Sequence, residues 1–203
     1  MANTVKKTII LSSILALLTA VQVFANNQSQ FSQTISDSSK SIDIVDGSEA
    51  SVSSPTVAFG AATFSYGSQN TTGTLGMATQ KIHVSNPTST ATWTASIAGT
   101  APSATWTSGS NTYNFNNASA GQMTVNPSGG TWTGVSSCST ANISLGSSNS
   151  FANGTTDSIT LGSATTGTST YCNWDLTNVA LTQKIPAGQV SGSYNITMVL
   201  SII

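Results

Sequence analysis

Lys81-Ile82-His83-Val84-Ser85-Asn86-Pro87, followed after a short Thr/Ser break by Trp93-Thr94-Ala95-Ser96-Ile97, decides the fold. Apolar and polar side chains alternate one by one. That is the period of a strand with one face in a core and the other in water. Asn86-Pro87 closes the first run, because proline cannot donate to a ladder and restricts the residue before it. The pattern recurs outward from there. Met123 and Val125 alternate inside Gln122 to Asn126, closed by Pro127, and Ile159 and Leu161 follow Asp157. Cys172, Trp174 and Leu176 share one face, with Val179 and Leu181 next. Tyr194, Ile196, Met198, Leu200 and Ile202 form the last run. Helical spacing at i, i+3, i+4, i+7 is absent outside the amino-terminal leader. The expected fold is all-β, an antiparallel β-sandwich of several short strands with one polar face per sheet. Thr on the outward face suits it, since a β-branched polar side chain favours the strand and tolerates water.

Composition narrows the function classes. Of 203 residues only 5% are charged, against about 25% in an ordinary soluble domain. There are five Lys, no Arg, six acidic residues and one His, while Ser and Thr fill 67 positions. A nucleic-acid partner is not expected, because so few basic groups cannot displace counterions from phosphates. A charged disordered tail and a helix bundle are excluded on the same composition.

Residues 1–25 read as a secretory signal peptide: Lys6 and Lys7, an apolar stretch from Ile9 to Val23, and Val23-Phe24-Ala25 before a cleavage point. The apolar core is shorter than the ~20 residues a membrane span needs. After removal, 178 residues remain (203 − 25), carrying three Lys against six acids, a net charge of −3. One domain is expected at that length. Residues 26–52 read as a polar lead-in and residues 53–203 as the sandwich domain. Phe31 and Ile35 are the only apolar residues in 26–40, so no donor strand is legible there. Asp43, Asp46 and Glu49 surround Gly47, but their spacing misses the calcium-binding loop, and a solvated turn is expected. Cys138 and Cys172 are the only cysteines, and an exported pair most simply forms one disulfide.

Candidate chemistry is sparse. His83 lies on the face opposite Ile82 and Val84, where an exposed strand histidine is expected. Asp157 and Asp175 are the only carboxylates within residues 53–203, and Asp175 should point away from the core. No nucleophile elbow, phosphate loop or zinc ligand set occurs. The chain is read as non-enzymatic, with no cofactor and no metal. Trp93 and Trp174 share alternating faces with aliphatic residues and are expected inside. Trp106 and Trp132, in Ser/Gly-rich surroundings, are the better candidates for exposed sugar-stacking platforms. Thr-Trp-Thr occurs at 92–94, 105–107 and 131–133, too few for a repeat array. Six Asn-x-Ser/Thr triplets arise readily by chance in so hydroxyl-rich a chain.

Two segments resemble the WxL-type surface domains of Gram-positive bacteria. Lys81 to Pro87 with Trp93 to Ile97 is similar to the region around that family's first tryptophan. Trp174-Asp175-Leu176 spells Trp-x-Leu, and Ile185-Pro186-Ala187-Gly188 through Gly192 to Thr197 is similar to its closing Gly-x-Tyr strand. The first site reads Trp-Thr-Ala, and the terminal strand here lacks a tryptophan. The resemblance implies a β-rich exported domain held non-covalently on the cell wall, with Trp93, Trp174 and Leu176 as wall contacts beside Trp106 and Trp132. The leading expectation is therefore a cell-surface protein associated with envelope glycan. A self-assembling pilus, fibre or surface-layer subunit using its apolar carboxyl-terminal strand is the second. A soluble carbohydrate-binding adhesin is the third.

Overall fold

The computed structural model describes residues 32–203. The leader and residues 26–31 lie outside the described residues. Residues 32–36 are exposed and carry no regular structure, and Asp37–Ile203 forms one compact unit. Its strands are β1 (Ser41–Val45), β2 (Gln69–Leu75), β3 (Lys81–Asn86), β4 (Trp93–Gly99), β5 (Thr105–Ser108), β6 (Asn111–Asn114), β7 (Asn116–Asn117), β8 (Gly121–Asn126), β9 (Thr131–Gly134), β10 (Ile143–Leu145), β11 (Asn149–Ser150), β12 (Ser158–Ala164), β13 (Cys172–Thr177), β14 (Val179–Ile185) and β15 (Met198–Ile202). A single 3-10 turn at Pro127–Gly129 separates β8 from β9. The fold is an all-β antiparallel sandwich with one disulfide.

Two sheets in series make the first layer. One is ordered β1-β3-β13-β9 and the other β11-β8-β14-β2. β2 leads into β3, β8 into β9 and β13 into β14, so three long strands are each interrupted once. At the β13–β14 join, Asn178 takes φ 63°. That left-handed residue resets the alternation, so Leu176 and Val179 both face inward and both are fully buried. The second layer is the sheet β10-β12-β4-β15. The β5–β6 hairpin extends it, joined to the terminal segment by a bridge between Thr107 and Asn195.

Both layers close on a continuous apolar interior. Ile82, Val84, Trp174 and Leu176 from the first layer meet Trp93, Ala95, Ile97, Ile159 and Leu161 from the second, all at 3% exposure or less. Trp93 lies 5.3 Å from Trp132 and 5.6 Å from Trp174, ring centre to ring centre. The Cys138–Cys172 disulfide, with Cα atoms 5.7 Å apart, staples this end. Phe115 and Phe151 pack edge to face further along.

The lead-in differs from its sequence reading. Ser41–Val45 is a full strand, registered on β3 with Ile42 opposite Val84 and Ile44 opposite Ile82. Its own alternation, Ile42 and Ile44 with Ser41 and Asp43 between, carries it into the sheet, and the acidic residues around it concealed that pattern. The solvated turn survives only at Asp46-Gly47-Ser48, where the Asp46 carboxylate accepts from the Ser48 and Ala50 amides. Conversely, residues 52–68 contain little regular structure beyond a bridge from Phe59 to Gly73.

Candidate functional site

A cavity in the interior lies beside the carboxyl-terminal strand. β15 is an edge strand and pairs only with β4 among the described residues. Ile203 and Thr94 exchange both backbone hydrogen bonds. Antiparallel ladders alternate bonded and non-bonded pairs, so the bonded positions continue at Ser201 and Val199. The N–H and C=O groups of Met198 and Leu200 therefore point away from β4, along a free edge. The side chains of these two residues are only half-buried, and both line a cavity of about 650 Å³.

Three structures bound that cavity. Its floor is Ile97, Trp106, Tyr113, Met123, Leu181 and Gln183. One wall is the terminal segment, with Tyr194 and Ile196 ahead of β15. The other is residues 55–65, a strap along the outer edge of β2, where the Gly60 amide donates to Thr72 and Thr71 Oγ1 donates to the Gly60 carbonyl. Phe59 of the strap stands edge-on to Trp106 at 5.4 Å. On the rim, Phe64, Met77 and Val190 are more than half exposed. Among the described residues no charged side chain lines the groove.

Polar groups in the floor are few and specific. Gln183 is fully buried; its Oε1 accepts from Trp106 Nε1 at 2.8 Å, and its Nε2 donates to the Lys184 carbonyl. Tyr194 Oη donates to the Val190 carbonyl and accepts from Gln189 Nε2. Burial, and secondarily the neighbouring Tyr194, pushes the Tyr113 phenol up to about 12.

A second cluster sits on the outer face of the first layer. Lys81 Nζ donates to Asp175 Oδ2 at 2.5 Å and to Glu49, and His83 Nδ1 lies 2.8 Å from Asp175 Oδ1 and 3.1 Å from Glu49 Oε2. Burial alone would lower the Lys81 ammonium pKa, but hydrogen bonds to Asp175 and Glu49 outweigh it and raise the value. Glu49, His83 and Asp175 offer ligand atoms within 4.8 Å of one another. The Lys81 ammonium bonds one oxygen of each carboxylate, and this ion-pair network ties the turn after β1 to the sheet. Among the described residues no serine hydroxyl is bonded to His83. Asp175 points away from the core, as alternation implied, and is buried beneath this network, while His83 is half-buried where an exposed position was expected. Charge pairing 92 residues apart left no local signal.

The tryptophans and Leu176, proposed as glycan or wall contacts, are placed in the interior. Trp93, Trp174 and Leu176 are at most 2% exposed. Trp106, expected at the surface, is 8% exposed, because the β5–β6 hairpin folds it over the core onto Gln183. Trp132 is half-buried, wedged against Trp93, and its Nε1 has no protein partner among the described residues. None offers a free ring face of the kind sugar stacking requires. Sequence reading missed the groove, the strap and Gln183. The one available signal was an apolar final strand, which had to be either central or used for assembly.

Fold and groove together define a class: a disulfide-stapled all-β sandwich with an apolar groove beside an edge strand. No protein-family model, curated protein or solved structure matches the chain.

Proposed function

We propose that this chain is an exported, non-enzymatic structural subunit that joins a surface assembly by accepting an extended strand into its groove. The observation that carries the reading is the unpaired backbone of Met198 and Leu200 beside an uncharged apolar cavity. Strand addition to a free edge takes affinity from main-chain hydrogen bonds and specificity from pockets for alternate side chains. Natural sheets usually blunt such an edge with lysine, proline or a covering loop. β15, Met198-Val199-Leu200-Ser201-Ile202, carries neither lysine nor proline. Export rests on the signal-peptide pattern and the disulfide, and a place on the cell envelope agrees with the WxL resemblance. The Trp-x-Leu tripeptide then serves the core, and attachment falls to the groove.

Met198→Lys tests the reading, since it aims an ammonium into a groove without charge. The mature protein should associate with rising concentration in sedimentation velocity and form assemblies visible by electron microscopy. The variant should remain monomeric with an unchanged far-ultraviolet spectrum. Equal association of both proteins would refute the groove as the joining surface.

Sugar recognition keeps one foothold, the exposed aromatic pair Phe64 and Tyr66, with ring centres 5.1 Å apart. Glycan-array binding abolished by Tyr66→Ala and retained by Met198→Lys would favour it.

A further inference from the structure

We infer, resting on the strand-accepting reading of the groove, that its occupant is the amino-terminal segment, residues 26–36, of a second copy of this chain. Chemistry supplies the first argument. The segment Asn26-Asn27-Gln28-Ser29-Gln30-Phe31-Ser32-Gln33-Thr34-Ile35-Ser36 contains no charged residue, and neither does the groove lining. In an extended segment Phe31, Gln33 and Ile35 point to one side. Two apolar side chains are too few to mark a strand from the sequence alone, but with an amide between them they suit a floor of Trp106, Met123 and Leu181 that also holds the buried amide of Gln183. Ile35 is 87% exposed and has no core position of its own.

Geometry supplies the second. The segment leaves the body at Asp37, whose carboxylate accepts from the Ser89 amide and hydroxyl and from Tyr171 Oη. Ser89 follows β3 and Tyr171 precedes β13, so this is the pole where β13 starts. The groove begins near Ile44 and Leu75 and continues to Ile185 and Gln189, toward the pole where β14 ends. From Cys172 to Ile185 the β13–β14 line spans roughly 43 Å of strand. With the leader cleaved after Ala25, eleven residues precede Asp37 (36 − 25), reaching about 36–40 Å fully extended. Doubling back from Asp37 to the level of Ile44 would take seven of them (44 − 37), roughly 23 Å. The four or so residues left, roughly 13 Å of strand, would cover only the near end of the groove. A segment from a neighbouring copy, arriving at the open pole, can lie along its whole length and hydrogen-bond Met198 and Leu200.

The test uses the mature chain, a chain starting at Asp37, Met198→Lys, and a fluorescently labelled synthetic peptide of residues 26–36. The chain starting at Asp37 should stay monomeric at concentrations where the mature chain assembles. It should bind the peptide, and Phe31→Ser with Ile35→Ser in the peptide should weaken that binding at least tenfold. Met198→Lys should bind neither peptide nor copy. If the chain starting at Asp37 assembles like the mature one while Met198→Lys does not, the groove reading stands and the segment is overturned as its occupant. If Met198→Lys also assembles normally, both are overturned. Failure of the peptide to bind the shortened chain at millimolar concentration likewise overturns the segment. Thermal melts of each variant separate these outcomes from loss of folding.

Discussion

The two poles of this sandwich are made from the same alternating strands and end differently. At the disulfide pole, Trp93, Trp132 and Trp174 fill the space between layers, and β1 covers the flank. At the groove pole, Trp106, Tyr113 and Tyr194 line a cavity, and β15 stops with half its backbone unpaired. The disulfide pole has strands enough to complete its core. At the groove pole the outer edge of β15 is unpaired among the described residues, and the strap of residues 55–65 follows the edge of β2 instead. Apolar content alone does not seal a sandwich; the number of strands does.

The largest expected effect contrasts a tryptophan from each pole. Trp174→Ala, in the fully packed end, should lower unfolding free energy by about 3–5 kcal/mol. Trp106→Ala, which enlarges a cavity already present, should lose roughly half of that. Urea unfolding of the two variants checks the difference, and equal losses would break the contrast. Next, Cys138→Ser with Cys172→Ser removes a link of sequence separation 34, worth about 3–4 kcal/mol in the chain-entropy view. That loss should leave self-association below the melting temperature unchanged. Smaller still, Gln183→Leu deprives the Trp106 indole of its acceptor and should cost about 1–3 kcal/mol.

The smallest effect is in pH. Tyr113 holds its proton more tightly folded, to about pH 12, than unfolded, near 10. Stability from this source is therefore intact below pH 10 and falls as pH rises from 10 through about 12. Tyr113→Phe should flatten that alkaline limb in denaturation curves recorded across the range. At the other pole, Asp37 is held below the ordinary carboxylate value by the Ser89 amide, then by the Tyr171 and Ser89 hydroxyls. Its anchor should be intact above about pH 4 and lost as pH falls through its lowered value.

Most of the framework was legible in the sequence for a simple reason. β3, β4, β8 and β13 each bury one face, and a buried face writes its period into consecutive residues. β1 carried the same signal in Ile42 and Ile44, hidden by neighbouring acids. What stayed illegible depended on distant partners. Trp106 is buried by Gln183, 77 residues away, while its immediate neighbours are small and polar. Lys81 and His83 meet Asp175 across two strands. The groove is the least legible feature, because its lining is gathered from segments as far apart in sequence as Ile44 and Leu200.

The opposition between the Asp37 exit and the groove carries one more consequence. In the strand exchange proposed above, two copies joined through opposite poles would use different surfaces, so the contact would be heterologous and not two-fold symmetric. Unless the step between copies happens to close a ring, such a contact repeats without limit. The resulting filament has direction: one terminus always shows an empty groove and the other an unclaimed segment. Its growth can then be capped at either terminus by a molecule matching only one of them.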